Sequence, residues 1–522
     1  MSSKKFTRRK IKSAIQGWVS AVVVGVLVSG VGAVRAQEAL KQTAEKQFNR
    51  GVELYQKKDY EASLEEFKNA RKEAPTNVTV LQWVGYLNVR LKRFDDALEP
   101  LNKAISLKPS EPRSHEHLGN AYDGLKRYND AIKEFQKVAE LQPKSADAQF
   151  NLGNVLYKQN KFSESVVAYQ KAAEISPTDA LIQQNLGLAF TGTKNYEKAA
   201  LAHTRATQLE PGNATHFFYL ALASQEQAKL AVAKNTPAGT ATATKTWATA
   251  QAAYEKAISL KPDDFQIREA YGETLSDMGK YTEATIQFDK AAKIDPTQVV
   301  APLNLGMAYT RTGNSEKAAA AYRKALELQP NLTEALRGLG GAQYKLGNWE
   351  EAQSTYTTLT KSQPKEANHW LFLASTLQKK GDNEGAIASL DEALKQGLTG
   401  TKAGTVRRVL GGYLYRKGDT VSLERAQEEY TKSLNDTPNS PEAYNGLGLI
   451  SQRMGKPDEA IKQFQKATGL NPKFADAYNN LGVAYEAKKE LILAQTAYKQ
   501  ALKADPKHVM AKRNLARFEK KS

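Results

Sequence analysis

Residues able to do covalent or metal chemistry are few in this chain. It has six histidines and no cysteine in 522 residues. Thiolate nucleophiles, disulfides and cysteine zinc sites therefore drop out. His115 and His117 flank Glu116, but residues i and i+2 on a helix point apart and do not share a metal. There is no His-Glu-x-x-His pair and no phosphate-binding glycine loop. The expectation is a protein with no metal, no cofactor and no catalytic centre. What recurs instead is binding chemistry. Asparagine, whose amide both donates and accepts, stands at Asn49, Asn151, Asn185, Asn304 and Asn480. Cations stand at Arg311, Lys345, Lys379, Arg416 and Arg453. Both sets fall at fixed phases of one period, and that period dictates the elements that carry them.

The stretch FNLGNVLY (150–157) returns as LNLGMAY (303–309) and YNNLGVAY (478–485). Gly306 and Gly340 lie 34 residues apart, as do Gly448 and Gly482. The glycine ladder starts at Gly51 and ends at Gly482, with Ala221 and Ala374 in two gaps. A ladder of small residues follows twelve residues later (Ala97, Ala131, Ala284, Ala494), and prolines such as Pro75, Pro109 and Pro506 close the units. With each unit counted from place 1 to place 34 and the glycine at place 8, apolar residues fall at places 4, 7, 8 and 11. That is one face of an α-helix. Places 17, 20, 24 and 27 repeat the pattern, as in Tyr281, Ala284, Phe288 and Ala291, after a short polar turn such as DMGK (277–280). Each unit is thus two helices in an antiparallel hairpin. The small residues are expected where two backbones approach closely. The proline ends the second helix.

This pattern resembles the tetratricopeptide repeat family, a 34-residue helix-turn-helix. The resemblance covers residues 44–508, about thirteen units. It implies an all-α fold, a right-handed α-solenoid with the first helices on its concave face and the second helices on its convex face. It also implies a non-enzymatic scaffold whose groove binds extended or helical segments of other proteins. Places 2, 6, 9 and 13 lie opposite the apolar face of the first helix and would face that groove. The asparagines above occupy place 6, and the cations occupy place 13 in five successive units. In related arrays such asparagines bind a peptide backbone. The family's two-carboxylate clamp needs a lysine at place 5; Asn120 and Asn151 match its other members, but Glu116 stands where the lysine should be. The clamp is absent in that form. The cation row points to acidic partner segments, although a cation ending a helix also gains from the helix dipole. Trp83, Phe150 and Phe218 lie near the same face and would suit a carbohydrate. An alternative role is a regulatory or assembly subunit for cell-envelope polysaccharide or peptidoglycan enzymes. Repeats account for every residue from 44 to 508, leaving no stretch for a catalytic domain.

The formal charge is +18, and residues 1–36 hold seven basic residues and no acid. The remainder has 67 basic against 56 acidic residues, a moderately basic surface with no expectation of nucleic-acid binding. A basic start (KKFTRRKIK) precedes Ser13 to Val34, 22 residues without charge, and VRA (34–36) precedes Gln37. Residues 1–36 are read as a signal peptide cleaved after Ala36 or as a retained transmembrane helix across 13–34. Either places the repeats outside the cytoplasm: in the periplasm, extracellular, or tethered to the membrane by this segment only. Three irregularities remain. The Ala/Thr-rich insertion at about 230–246 reads as a flexible loop. The junction at about 395–404 reads as a hinge. Pro100 falls inside a second helix, where it should kink it. Residues 509–522 read as a C-terminal capping helix.

Overall fold

The computed structural model describes residues 31–519, with side chains from 41 to 518. Most of the expected signal or anchor segment, residues 1–30, lies outside the described residues, as do 520–522 of the expected cap. The first described helix, Val31–Gln56, runs through the Ala36–Gln37 junction. Among the described residues no helix is long and apolar enough to cross a membrane.

The described residues form 27 helices and no strand. Thirteen hairpins, from Val31–Gln56 with Tyr60–Glu73 to Ala475–Ala487 with Leu491–Ala504, precede the terminal helix Val509–Glu519. The chain divides into two compact units, Met1–Leu260 and Lys261–Ser522. The first holds six hairpins; the second holds seven and the terminal helix. In both units neighbouring first helices pack on one another, as Val78–Arg90 does on Pro112–Gly124 and Val300–Arg311 on Thr333–Leu346.

Turn chemistry fixes each hairpin. At place 15 the backbone is left-handed: Lys58, Lys92, Lys126, Asn160 and Lys194 in the first unit, mostly glycine in the second (Gly279, Gly313, Gly347, Gly381). The residue after it donates back across the helix end, as Arg127 N does to Tyr122 O (2.8 Å) and Lys280 N to Leu275 O (2.8 Å). This satisfies carbonyls that the helix end leaves free. First helices then start on side-chain caps such as Ser145, Asp179 and Asp264.

The glycine ladder has a more specific cause than close backbones. A Cβ on Gly153 would lie 2.6 Å from Tyr169 Cε1, and one on Gly272 would lie 2.5 Å from Phe288 Cε1. What needs the space is the large side chain at place 24, which is fully or nearly fully buried in Phe67, Phe135, Tyr169, Phe288, Phe464 and Tyr498. These rings plug the hairpins and anchor the core clusters.

Two sequence expectations are overturned. The insertion at 230–246 is not a loop: it lengthens both helices of the sixth hairpin, to Ala214–Ala233 and Pro237–Leu260. Alanine is the best helix former, and threonine hydroxyls bond back along the helix, as Thr242 does to Ala238 O (2.9 Å) and Thr246 to Thr242 O (2.9 Å). Ala228, Ala231, Gly239, Ala243 and Ala250 are buried between the two helices. They sit so close that a Cβ on Gly239 would lie 2.6 Å from Ala231 O. The junction at 395–404 is no break in packing either. Its first residue, Lys395, ends one helix, and Gly400 starts the 18-residue helix Gly400–Lys417. One core cluster runs through it, from Leu390 and Leu398 to Val406 and Leu410. The divide between units falls at Leu260 instead. The helix Phe94–Leu107 continues through Pro100, which is buried.

Candidate groove on the first helices

The place-6 asparagines do two different things. Asn185 donates to Asn154 Oδ1 (3.3 Å), Asn304 to Glu269 Oε1 (2.6 Å) and Asn480 to Asn445 Oδ1 (3.0 Å). Each bond ties a first helix to the first helix before it. Asn514 of the terminal helix repeats the move onto Asn479 (2.9 Å). Three of the five predicted asparagines therefore spend a donor on holding the stack. Asn49 is exposed, and Asn151 keeps its amide free.

Asn151 lies in a cavity of about 220 Å³ in the first unit, with Asn120, Asp123, Asn154, Tyr157, Lys158 and Asn185 on its walls. Tyr169, the plug of that hairpin, donates to Asn154 Oδ1 (2.7 Å). Lys158 bridges to Asp123 at 2.5 Å, closing one side. Asn120 and Asn151 make no side-chain hydrogen bond among the described residues. Two unspent amides in a concave, partly polar pocket offer paired donors and acceptors to an extended peptide. Sequence reasoning missed Asn154 and Tyr169 here. Their signal is positional: place 9 faces the groove, and a tyrosine at place 24 is long enough to reach it.

The aromatic residues noted for carbohydrate are spent on packing. Trp83 stacks on Phe67 at 4.9 Å, Phe150 meets Tyr169 at 5.7 Å, and Phe218 meets Tyr254 at 6.3 Å. Trp83 leans on the plug of the preceding hairpin, Phe150 and Phe218 on the plug of their own, and none offers a free platform. His115 is buried, with one ring nitrogen 2.6 Å from Glu134 Oε2 and the other 2.9 Å from Pro109 O. His117 instead lies 5.0 Å from the Tyr86 ring, and burial draws its pKa down to about 4. The two histidines face different neighbours. Among the described residues no group of three His, Asp or Glu side chains could hold a metal.

All five place-13 cations are exposed. Arg453 is committed locally: it donates to Tyr415 O (3.1 Å) near the C-terminal end of the preceding first helix. Arg311, Lys345, Lys379 and Arg416 make no ion pair or hydrogen bond among the described residues. Adjacent lysines show that this is not for want of acids. Lys380 reaches Glu350 (3.8 Å) and Lys417 reaches Glu384 (2.9 Å).

Tetratricopeptide-repeat models match residues 48–112, 124–160, 153–194, 245–299, 429–462, 453–489 and 475–508. The middle TPR-like domain of cilia and flagella-associated protein 70 matches residues 275–396. The chain belongs to the tetratricopeptide repeat family. No curated protein matches it. Among solved structures it is similar to YrrB, described as a TPR protein with an unusual peptide-binding site, at 24% identity over 40% of this chain and 97% of that one, TM-score 0.33. It is also similar to yeast Tom70, at 20% identity over 91% of this chain and 99% of that one, TM-score 0.30. The C-terminal part of a TPR repeat-containing protein from Cytophaga hutchinsonii is 18% identical over 56% of this chain and 99% of that one, TM-score 0.38.

Proposed function

We propose that the protein is a non-enzymatic scaffold that grips an extended segment of a partner protein along its first helices. The observation that carries this is the pair of unspent amides, Asn120 and Asn151, in the cavity of the first unit. A peptide bond presents one donor and one acceptor, and two free amides can engage both. Repetition supplies many such shallow contacts, so affinity comes from length. A photo-crosslinking residue at Asn151 in the full chain, read by mass spectrometry, should capture discrete protein segments. The same probe at exposed Glu164 on a second helix should not. Equal capture at both positions, or none at Asn151, would refute the reading.

We further propose that the repeats work outside the cytoplasm. The support is the basic and apolar sequence of residues 1–36. N-terminal sequencing of the cellular protein should begin at Gln37 after cleavage, or at Met1 or Ser2 in the membrane fraction if the segment is kept. An uncleaved chain in the cytosol would disprove export.

A further inference from the structure

The second unit carries a polar feature that holding the stack does not use. Three plug tyrosines, Tyr322, Tyr356 and Tyr430, are 3%, 4% and 7% exposed. The hydroxyls of Tyr356 and Tyr430 have no hydrogen-bond partner among the described residues, and that of Tyr322 meets only Thr310 (3.1 Å). Their ring tips reach groove-facing places. A Cβ on Gly338, at place 6, would lie 2.2 Å from Tyr322 Cζ, and one on Gly446 would lie 2.3 Å from Tyr430 Cζ. At place 9, a Cβ on Gly341 would lie 3.8 Å from the Tyr356 hydroxyl, and one on Gly412 would lie 3.6 Å from that of Tyr430. Where Asn151 and Asn154 stand on the groove floor of one first-unit repeat, Gly338, Gly341, Gly412 and Gly446 stand in the second unit, and a phenol oxygen comes through.

Arginines flank two of these oxygens: a Cβ on Gly412 would lie 3.6 Å from the Tyr430 hydroxyl and 3.9 Å from Arg416 Nη1, while Arg311 and Arg337 adjoin Thr310 and Gly338, the two residues against the Tyr322 ring tip. Burial raises the pKa of the Tyr322 phenol, and the charges of Arg337 and Arg311 pull it back. Burial likewise raises Tyr430, against the charges of Arg408 and Arg416. None of these four arginines makes an ion pair or hydrogen bond among the described residues. At Tyr430 a free phenol O–H joins the guanidiniums of Arg408 and Arg416, the latter lying 4.5 Å over the Tyr413 ring with its N–H groups unspent. At Tyr322 the O–H is taken by Thr310 Oγ1, whose own proton goes to Gly306 O (2.9 Å), so there the two guanidiniums alone are unspent. What remains at each is a donor set without an acceptor. It suits an anion, and planar guanidinium suits carboxylate above all. Lys345, also unpaired, shares a first helix with Arg337, and Lys379, unpaired too, stands on the one first helix between the two sites.

We propose that Arg311 and Arg337 beside Tyr322, and Tyr430 with Arg408 and Arg416, are two carboxylate subsites that seat an extended acidic segment of a partner protein. The inference rests on the scaffold reading above and names the chemistry of its ligand. Helices pack about 8–10 Å apart, so each repeat advances the groove by about 10 Å. An extended chain rises about 3.3 Å per residue. One cation per repeat therefore matches one acid at about every third residue, and the two subsites span about nine residues.

The test uses the purified full chain and a fluorescent peptide of about twelve residues with glutamate at every third position, read by anisotropy at low salt. The glutamate peptide should bind, and its glutamine counterpart should not. Arg311→Gln with Arg337→Gln, and Arg408→Gln with Arg416→Gln, should each weaken binding at least tenfold. Lys462→Gln, on a second helix, should leave it unchanged. Tyr430→Phe should weaken it severalfold; that variant removes only one oxygen and decides the matter if the arginine variants do not fold. Native affinity in the folded arginine or phenylalanine variants overturns the proposal. So does equal binding of the glutamine peptide. Tighter binding of linear polyuronate or single-stranded DNA at equal charge overturns the assignment to polypeptide. If protein segments crosslink at Asn151 but the acidic peptide fails, only this inference falls. If nothing crosslinks there while the acidic peptide binds, it is the Asn151 groove that is wrong.

Discussion

A Cβ on Gly306 would lie 2.7 Å from Cδ1 of Tyr322, well inside van der Waals contact. The ring cannot retreat, because a Cβ on Gly338 across from it would lie 2.2 Å from its Cζ. Gly306→Ala should therefore destabilise the second unit by about 1–3 kcal/mol through overpacking. Trimming the ring with Tyr322→Leu in the same chain should return part of that loss. Urea midpoints of the single and double variants check it. Additive losses would show that the two residues do not share the space.

The place-15 turns differ in cost between the two units. Lys126 holds φ at 59° with a side chain, whereas Gly279 holds 74° without one. A left-handed backbone costs a non-glycine residue roughly 1–2 kcal/mol. Lys126→Gly should thus stabilise by about 0.5–1 kcal/mol, after the extra freedom glycine gains when unfolded. Gly279→Ala should destabilise by about 1 kcal/mol. Thermal midpoints of both variants settle the sign.

Glu269 gives the second unit a pH dependence of unusual sign. Burial raises its carboxyl from 4.5 to about 7, against the bond from Asn304. The folded state therefore holds a proton that the unfolded state releases between those values. Stability should fall as pH rises from about 4.5 to 7, by an amount on the order of 2–3 kcal/mol. Buried His203 in the first unit is drawn down to about 3, so its contribution is lost as pH falls below 6.5 and runs the other way. Comparing the native chain with Glu269→Gln by denaturation at pH 5 and pH 7 isolates the carboxyl. An unchanged pH slope would mean Glu269 is ionised in the fold.

Arg407 sits beside Glu429 (3.0 Å) and Asp436 (3.2 Å), and Glu429 is 6% exposed. Arg407→Met keeps the bulk but leaves a buried carboxylate with only the distant Lys432 (3.7 Å). The expected loss is about 3 kcal/mol. Adding Glu429→Gln should recover much of it, which calorimetry of the three variants measures.

The hairpins were legible in the sequence because their signal is redundant. Gly153, Gly306 and Gly482 repeat one constraint at one spacing, and helical periodicity surrounds each. The insertion was misread for a physical reason. Ala231, Gly239 and Ala243 look featureless in composition, yet small side chains are what lets two helices approach to contact. The candidate site was half legible. Place and residue type found Asn151 and the cations, but whether an amide is free depends on the preceding repeat. Nothing along the chain tells that Asn304 is spent on Glu269 while Asn151 is not. The tyrosine hydroxyls escaped notice because place 24 reads as core. Only the missing side chain at Gly338 or Gly446, on another helix, turns a core ring into a polar contact.

The bonds from Asn304 to Glu269, Asn480 to Asn445 and Asn514 to Asn479 pair each residue with one about 35 positions earlier. Such repeats are not interchangeable bricks. A hairpin excised, duplicated or shuffled on its own would leave one amide facing the wrong neighbour and strand a buried carboxyl or amide behind it. Because each pair joins successive first helices, the unit of exchange is two neighbouring hairpins kept together. Shortened or lengthened versions of this protein should hold together when both partners of a pair are kept or removed as one, and fray when a cut parts them.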